Sequence, residues 1–415
     1  MKKTIGQPEL LKEINRTRVF NILSSERTVS RAQLAKKTGL SRATISILVE
    51  KLLQIGLVEE VGYGNSSGGR PPVLLKYNPN AAFAIGAYMY DYEWSLVITN
   101  LDAEIMHQET IHIPSNDYQV ALATLKNGVE HITRNLPPDR LLPAIGIGTP
   151  GLVDSKTGII KSAVDLGWFE VPIKDLVKKA LGLEAFVVNR SKIGALAEFW
   201  HGAGEGIREL IYISIGTGVA AGIIHDGKLY FGANSSTGEL GHVTILPEGP
   251  ACPCGNRGCL QQLISEKALE IRARELLRED RSSSLHTKAG NHPEMLNARD
   301  ILEAADQGDP LAGQIVDEAS EYLGIAVGNL INLFNPELVV LGGPVGCLSK
   351  LLTEKLQQKA RKRAMTYPLS VVTIRRSSLG LDAGAIGASV LVLQRAKELL
   401  FRKSPAYLEP SDKRK

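Results

Sequence analysis

A pattern that occurs twice along the chain constrains the fold most: consecutive strands, then helices that alternate with strands. The first copy begins with strands predicted at 83–90, 94–99 and 104–113, and the second begins with strands and a hairpin within 209–232. Further strands are predicted at 144–151, 185–189, 338–343 and 370–374, and helices at 118–135 and 173–181. Such a chain folds into two similar α/β lobes with a cleft between them, where ligands commonly bind.

The first eighty residues show a different pattern, that of a helix-turn-helix. Ser30 and Gln33 form a capping box that starts one helix, and Gly39 permits the tight turn after it. Ser41 can cap the next helix. Apolar residues recur along that helix at helical spacing, at Ile45, Leu48, Val49 and Leu52. A short helix, a turn with glycine and a second amphipathic helix are typical of DNA-binding heads.

A glycine-rich hairpin follows, between strands predicted at 57–61 and 73–77. We interpret it as the wing of a winged helix-turn-helix. Its segment 69–71 presents a slim, extended arginine, Arg70, that fits a narrow A·T-rich minor groove. A flexible linker between domains is the alternative interpretation of this segment.

Basic residues are concentrated in this N-terminal head, residues 1–80. Residues 1–77 hold 13 Lys and Arg against 6 Asp and Glu, whereas the whole chain holds 48 against 44. An excess of this kind favours binding to a polyanion, and a helix with small polar outer residues fits the major groove. The candidate DNA contacts in the two helices are Arg31, Ser41, Arg42, Ala43, Thr44, Ser46 and Lys51. A small helical interaction module is the alternative.

Three of the four cysteines lie within eight residues of one another, at Cys252, Cys254 and Cys259. His242 precedes them, and three thiolates with one imidazole form a closed tetrahedral set for Zn²⁺. Four protein ligands leave no open position, so we predict a structural zinc ion. A redox-active cysteine pair is the rival interpretation. The fourth cysteine, Cys347, is predicted to be a core or loop thiol.

The length of 415 residues predicts more than one domain. We divide the chain into a DNA-binding domain at 1–80, a first lobe at 81–195 with a C-terminal helix at about 385–403, and a second lobe at 196–384 with the metal site. The sequence contains no run of about eighteen apolar residues and no secretory signal. We therefore expect a cytoplasmic protein without a membrane span.

Several motifs resemble those of the ROK family, which includes repressors and sugar kinases with an actin-like fold. The segment 238–242 resembles the family's sugar-binding Glu-x-Gly-His, and 252–259 resembles its zinc loop. The turns at 148–151 and 335–343 are similar too, and the head followed by 68–71 resembles the repressor branch. The resemblance implies an α/β protein in which a winged helix-turn-helix precedes a two-lobed, sugar-kinase-type body.

The chain departs from the family's kinases at the first phosphate loop and at the catalytic base. Tyr88 and Tyr90 occupy the stretch in which kinases use glycines to bring backbone N–H groups to phosphate. The kinase base is an Asp in Asn-Asp-Ala, and here the triplet is Asn189-Arg190-Ser191. Because arginine stays protonated, it cannot take a proton from a sugar hydroxyl. We predict no kinase activity, with an active sugar kinase that carries a DNA-binding head as the alternative.

The resemblance also implies a sugar pocket in the cleft. Asp165 stands where the family usually has Asn, and Gln261 stands where it has Glu. The implied ligand-binding residues are Asp165, Asn189, Arg190, Glu239, His242 and Gln261. Because Arg190 and Gln261 make the pocket less negative, we hypothesise that the ligand is an anionic sugar, such as a phosphorylated sugar or a sugar acid. The rival hypothesis is that Arg190 pairs with Asp165 or Glu239.

Together these features predict a transcriptional repressor of carbohydrate-utilisation genes. A homodimer or homotetramer would place two heads on a palindromic, A/T-rich, double-stranded DNA operator. A sugar or sugar derivative in the cleft would relieve repression by binding more tightly to the arrangement that does not fit DNA. A constitutive repressor with a dead sensor is a further alternative.

Overall fold

The computed structural model describes residues 7–64, 71–90, 92–278, 283–290 and 292–403. Within that part of the chain, none of the helices combines the length and the apolar character needed to cross a membrane. Three units follow one another: the head and two α/β lobes, with the C-terminal helices packed against the head and the first lobe.

The head has the helix-turn-helix that the sequence predicts, preceded by a long helix. Its elements are α1 (Gln7–Glu26), β1 (Thr28–Ser30), α2 (Arg31–Thr38), α3 (Arg42–Gln54), β2 (Val58–Tyr63) and β3 (Val73–Tyr77). Strand β3 pairs antiparallel with both β1 and β2. The capping box of Ser30 and Gln33 is present, and Gly39 ends α2 with φ 72°, in the left-handed region that glycine adopts readily.

The first lobe is a mixed five-stranded sheet with flanking helices. Its elements are β4 (Phe83–Tyr90), β5 (Glu93–Thr99), β6 (Ile105–His112), α4 (Tyr118–Thr133), β7 (Leu141–Thr149), β8 (Leu152–Asp154), β9 (Ile159–Ala163), β10 (Trp168–Val171), α5 (Ile173–Leu181), β11 (Glu184–Asn189) and α6 (Arg190–His201). The main sheet has the order β11-β7-β4-β5-β6, and β8, β9 and β10 form a small separate sheet. Asn189 therefore ends a parallel strand, a place where α/β proteins commonly bind ligands.

The second lobe contains another five-stranded sheet, and its helices and strands alternate along the chain as predicted. Its elements are β12 (Leu210–Ile215), β13 (Val219–His225), β14 (Lys228–Leu229), α7 (Gln261–Ile264), α8 (Glu266–Leu277), α9 (Leu285–Ala289), α10 (Ala298–Asp306), α11 (Pro310–Phe334), β15 (Leu338–Gly342), α12 (Gly343–Leu348), α13 (Lys350–Arg361), α14 (Thr366–Leu369) and β16 (Thr373–Arg376). The sheet order is β14-β13-β12-β15-β16. The boundaries assigned to the domains from the sequence stay predictions.

The strand predicted at 370–374 begins three residues later than expected, at Thr373. The residues before it continue the turn of α14, and the Ser370 hydroxyl donates to the carbonyl oxygen of Tyr367 at 2.7 Å. A local hydrogen bond of this kind competes with strand pairing for the same backbone, so the apolar run alone placed the strand wrongly.

The C-terminal helix predicted at about 385–403 is instead two helices, α15 (Ala383–Leu393) and α16 (Ala396–Lys403). Between them, the guanidinium of Arg395 lies 4.3 Å from the centre of the Phe186 ring. The whole of α15 is buried against β4 and β7, and glycines allow the close approach. A Cβ atom on Gly146 would lie 1.7 Å from the carbonyl oxygen of Ala388.

The head is fixed to the first lobe by polar contacts that we call the joint, formed by residues 27, 77–82 and 100–102. Arg27 Nη1 lies 2.5 Å from Asp102 Oδ2, and its guanidinium lies 5.3 Å from the centre of the Tyr77 ring. The backbone N–H of Leu101 donates to the carbonyl oxygen of Pro79 at 3.0 Å. These contacts join residues from the head, from the connecting segment and from the turn after β5.

Apolar packing reinforces the joint. One continuous cluster of buried side chains combines head residues such as Leu23 and Leu75 with Leu101 and Leu142 of the first lobe and Leu399 of α16. Because burial of apolar side chains is the main source of stability in such contacts, the head and the first lobe form one body in this structure.

Candidate functional site

The N-terminal end of α3 forms an exposed face of the head that is suited to DNA. The Ser41 hydroxyl accepts a hydrogen bond from the backbone N–H of Thr44 at 3.1 Å and lies 2.9 Å from the Thr44 hydroxyl. Arg42, Ala43 and Ser46 are exposed on the following turn. The structure thus brings five of the predicted DNA contacts onto one helix end, where base edges and phosphates are usually contacted.

The structure does not bring the other predicted DNA contacts onto this helix end. Arg31 forms an ion pair with Glu60 at 2.8 Å, which links α2 to the strand before the wing. Lys51 is half-buried in the last turn of α3. Ile47 is 62% exposed on the outer side of α3, and an apolar side chain there can contact a thymine methyl group. Arg70 lies outside the described residues, so its contact with the minor groove stays a prediction.

A cavity of about 370 Å³ lies between the lobes. Five of the six predicted ligand-binding residues line it, namely Asn189, Arg190, Glu239, His242 and Gln261. The sixth, Asp165, lies in a short 3-10 turn, and its side chain is outside the described part of the chain. The remaining walls are largely apolar and include Pro150, Leu152, Val164, Val219 and Pro253. A cavity with apolar walls and a few converging polar groups is typical of a small-molecule site.

Backbone hydrogen bonds hold two of these polar side chains in place. Asn189 caps α6: its Oδ1 accepts from the backbone N–H of Ser191 at 2.9 Å, and its Nδ2 donates to the carbonyl oxygen of Gly151 at 2.6 Å. Gln261 Oε1 accepts from the backbone N–H of Val219 at 3.3 Å. Because the partners are backbone groups of the fold itself, the protein orients these two side chains and reduces the entropic cost of ligand binding.

Glu239 lies in the loop before His242 and is half-buried. Burial raises the pKa of the Glu239 carboxyl, and the nearby charges of Lys192 and His242 oppose that shift. Lys192 is 2% exposed, and its Nζ donates to the carbonyl oxygen of Thr237 at 2.7 Å. Burial lowers the pKa of Lys192, and Glu239 opposes the shift. The sequence analysis missed Lys192, although a lysine among the small and apolar residues of 191–197 was a detectable signal.

Arg190 contacts the second lobe rather than Glu239. Its Nη2 donates to the Thr217 hydroxyl at 3.2 Å, and its guanidinium lies 5.3 Å from the centre of the Tyr90 ring. No ion pair joins Arg190 to Glu239 among the described side chains, so the rival hypothesis of that pairing was wrong. Pairing with Asp165 lies outside what the structure describes. Thr217 lies in the turn between β12 and β13, and its hydroxyl is within hydrogen-bond distance of Arg190 at the start of α6.

A second cavity, of about 860 Å³, adjoins the first, and Arg190 lines both. Tyr90 and Glu266 both line it, and the Tyr90 hydroxyl donates to Glu266 Oε2 at 3.1 Å. A Cβ atom on Gly216 would lie 2.8 Å from that hydroxyl. The Tyr90 side chain therefore packs directly over the glycine turn at 216–218, and it occupies space that the backbone of a phosphate-binding loop keeps open.

His242, Cys252, Cys254 and Cys259 form one cluster, with all four ligand atoms within 4.8 Å of one another. The sulfurs of Cys254 and Cys259 are 3.8 Å apart, and the Cys252 sulfur is 3.7 Å from His242 Nδ1. A tetrahedral ion with Zn–S bonds of about 2.3 Å would hold its ligands about 3.8 Å apart. The cluster therefore fits a metal ion of this size. Since Nδ1 faces the sulfurs, Nε2 is the nitrogen that His242 can offer to the cavity.

These features define a class of protein: a winged helix-turn-helix head on a two-lobed, sugar-kinase-type body. Residues 92–395 match the ROK family, and residues 13–59 match the winged helix-turn-helix DNA-binding family. The chain belongs to the ROK family. The resemblance noted in the sequence and the predicted fold class are both confirmed.

Regulators and a kinase that resemble this chain differ in how much of it they cover. The xylose repressor of Caldicellulosiruptor bescii is 34% identical over 395 residues, which cover 94% of this chain and 98% of the repressor. A solved ROK family transcriptional regulator, a homologue of the Escherichia coli MLC protein, is 30% identical with a TM-score of 0.82 and covers 95% of this chain and 98% of its own. The glucokinase of Halalkalibacterium halodurans is 38% identical over 259 residues, 62% of this chain and 78% of the kinase. Of these three, the two regulators match nearly the whole chain.

Proposed function

We propose that this protein is a DNA-binding repressor of carbohydrate-utilisation genes that responds to a carbohydrate in the interlobe cavity. One observation carries the proposal: the cavity keeps Asn189, Glu239 and His242 for sugar hydroxyls, while the position of the kinase base holds Arg190. The repressor relatives that match along nearly the whole chain support it. The exposed end of α3 is the DNA-reading surface, and Arg70 of the wing would enter the minor groove.

We further propose that the protein does not transfer phosphate. A guanidinium has no acceptor for a hydroxyl proton, and the Tyr90 side chain packs over the turn at 216–218. The metal cluster would hold a structural Zn²⁺, because four protein ligands leave no coordination position for substrate. Two copies of the chain would bind a palindromic operator as part of a homodimer or homotetramer in the cytoplasm.

Replacing Arg42 with alanine should weaken binding to the operator roughly tenfold or more, because Arg42 lies exposed on the first turn of α3. The measurement is fluorescence anisotropy with DNA from the region upstream of the protein's own gene, at one fixed salt concentration, since phosphate contacts make affinity depend strongly on salt. A panel of sugars and sugar phosphates is then added to the wild-type complex.

Arg361→Ala is the matched control, because Arg361 is exposed in α13, far from the head in sequence. It should leave operator affinity unchanged. If wild-type protein binds its upstream DNA no better than random DNA, the repressor function is wrong. Phosphorylation of a hexose with ATP by the wild-type protein would support the kinase alternative instead.

Arg190→Gln should remove a preference for anionic effectors while it preserves binding of neutral sugars. We propose that Arg190 receives a phosphate or carboxylate group, because its guanidinium carries five donors and lies at the end of the sugar cavity. Calorimetry with glucose and glucose 6-phosphate, and with N-acetylglucosamine and its 6-phosphate, measures the preference. Arg299→Gln, in the second cavity only, is the control. Equal affinity of the wild-type protein for both members of each pair would contradict the proposed anion.

A further inference from the structure

We propose that Lys192 is a positioning residue of the effector pocket, which acts by holding the Glu239 carboxylate ready to accept hydrogen bonds from adjacent sugar hydroxyls. The inference rests on the proposed sensing function and assigns a role to a residue that does not itself line the cavity. Its basis is the placement of Lys192, Thr237 and Glu239 around the end of α6.

Lys192 connects two elements that form the pocket. It lies in the first turn of α6, three residues after Asn189, and its side chain extends to the loop that carries Glu239. The ammonium donates to the carbonyl oxygen of Thr237, two residues before Glu239, at 2.7 Å. Lys192 does not line the cavity, but it links the two elements that carry Asn189 and Glu239. A ligand that contacts Asn189 and Glu239 therefore binds to both of the elements that Lys192 holds together.

The loop that Lys192 contacts is packed tightly against β13. The backbone N–H of Ala221 donates to the carbonyl oxygen of Gly238 at 2.6 Å, and a Cβ atom on Gly238 would lie 1.9 Å from the carbonyl oxygen of Ala221. Gly238 also has φ 86°, a conformation that glycine adopts without strain. Gly238, which directly precedes Glu239, is thus fixed against β13, and Thr237, one residue earlier, accepts the hydrogen bond from Lys192.

Burial makes the two charges depend on each other. An ammonium that is 2% exposed is costly to keep without a partner. The positive charges of Lys192 and His242 act on Glu239, and the negative charge of Glu239 acts on Lys192. Without the Lys192 ammonium, the loop that carries Glu239 would lose the hydrogen bond at Thr237 that orders it, and Glu239 would lose a nearby positive charge.

This arrangement restricts the chemistry of the effector. An ionised carboxylate only accepts hydrogen bonds, so it requires donors, and two adjacent hydroxyls of a sugar supply them. A site built around such an acceptor discriminates strongly against an analogue that lacks the donor, because the buried carboxylate is then left without a partner. The structure therefore assigns Lys192 to effector specificity as well as to affinity.

A double-mutant cycle with Lys192→Met and Glu239→Gln tests the proposal. The candidate probes are xylose, glucose, N-acetylglucosamine and the 6-phosphates of the last two. The probe used is the one that binds best to wild-type protein, and its affinity is compared with that of its deoxy analogues. Lys192→Met should weaken binding roughly tenfold or more and reduce discrimination against the deoxy analogue. In the Glu239→Gln background, Lys192→Met should weaken sugar binding less than about twofold, because the carboxylate that Lys192 positions is already absent. Lys179→Met, an exposed lysine of α5, is the control and should change neither quantity.

Each outcome of the cycle separates this proposal from the function on which it rests. If no sugar of the panel binds to the wild-type protein, the sugar-sensing function fails. If sugars bind but the two substitutions act independently, or if discrimination is unchanged, the role of Lys192 fails alone. If Lys192→Met alone does not fold, the double variant with Glu239→Gln is measured instead. We expect the double variant to fold, since it removes both charges. If neither variant folds, Lys192 is a purely structural residue.

Discussion

Replacing Cys259 with serine should release the metal ion and lower the melting temperature by about 10 °C or more. Cys259 is fully buried, and its sulfur faces Cys254 at 3.8 Å. Metal binding contributes directly to the folding free energy when the ligands are brought together only in the folded state. The cluster is built into the loop that also carries Glu239, so the affinity for the effector should fall as well. Metal analysis of the purified protein and thermal denaturation measure the two effects.

Cys347→Ser is the matched control for this experiment. It makes the same chemical change at a cysteine outside the cluster, where burial raises the pKa of the thiol to about 11. We expect it to keep the metal and to melt within a few degrees of the wild-type protein. If Cys259→Ser kept one metal ion per chain and the wild-type melting temperature, the cluster would not be a structural metal site. A redox-active cysteine pair would then be the better interpretation.

The metal cluster and the cavity are contiguous, because His242 and Cys254 belong to the cluster and also line the cavity. His242 places Nδ1 among the sulfurs and also lines the cavity. A metal-bound imidazole has a fixed orientation and a fixed tautomer, so its other nitrogen can act as a defined donor to a sugar hydroxyl. If the cluster holds Zn²⁺, its loss would leave the His242 imidazole without a fixed orientation and tautomer, so the pocket would lose a defined donor even if the fold survives.

Features that depend on near neighbours in the sequence were predictable. The capping box of Ser30 and Gln33, the cap at Ser41 and the metal cluster each combine residues separated by a few positions or by a short loop. The repeated strand and helix pattern similarly predicted both sheets. In each case the physical interaction is local, so the spacing of residue types carries enough information.

Contacts between distant residues were not predictable. Lys192 contacts Thr237, which is 45 residues away, and Tyr90 contacts Glu266, which is 176 residues away. The partner of Arg190 was uncertain for the same reason: Thr217 lies on a turn of the other lobe. The break between α15 and α16 was not predictable either, because apolar residues continue at helical spacing through it.

A short Gly-Ser-Gly-Ser insertion between Asn78 and Pro79 should bring the ratio of operator affinities with and without effector close to one. Coupling between two ligands on one protein is typically about 5- to 150-fold, and it requires that each ligand favour a different arrangement of the same body. Here the head follows the first lobe through the ion pair of Arg27 with Asp102 and the hydrogen bond of Leu101 to Pro79. An insertion at this point displaces the head from the apolar cluster that packs it against the first lobe, so the head can keep its orientation on DNA when the lobes move. Anisotropy titrations with and without the effector measure the ratio.

The same insertion between Asp226 and Gly227, at the tip of the hairpin of β13 and β14, is the control. It adds the same flexible segment to the chain but leaves the joint intact, so the response to effector should persist. Calorimetry should give wild-type effector affinity for the joint variant, because its cavity is formed by residues of the two lobes. A joint variant that binds effector and still responds fully would show that the signal reaches DNA without the joint. The contact between two copies of the chain would then have to carry the signal, since a head that moves independently of its own lobe cannot be repositioned by it.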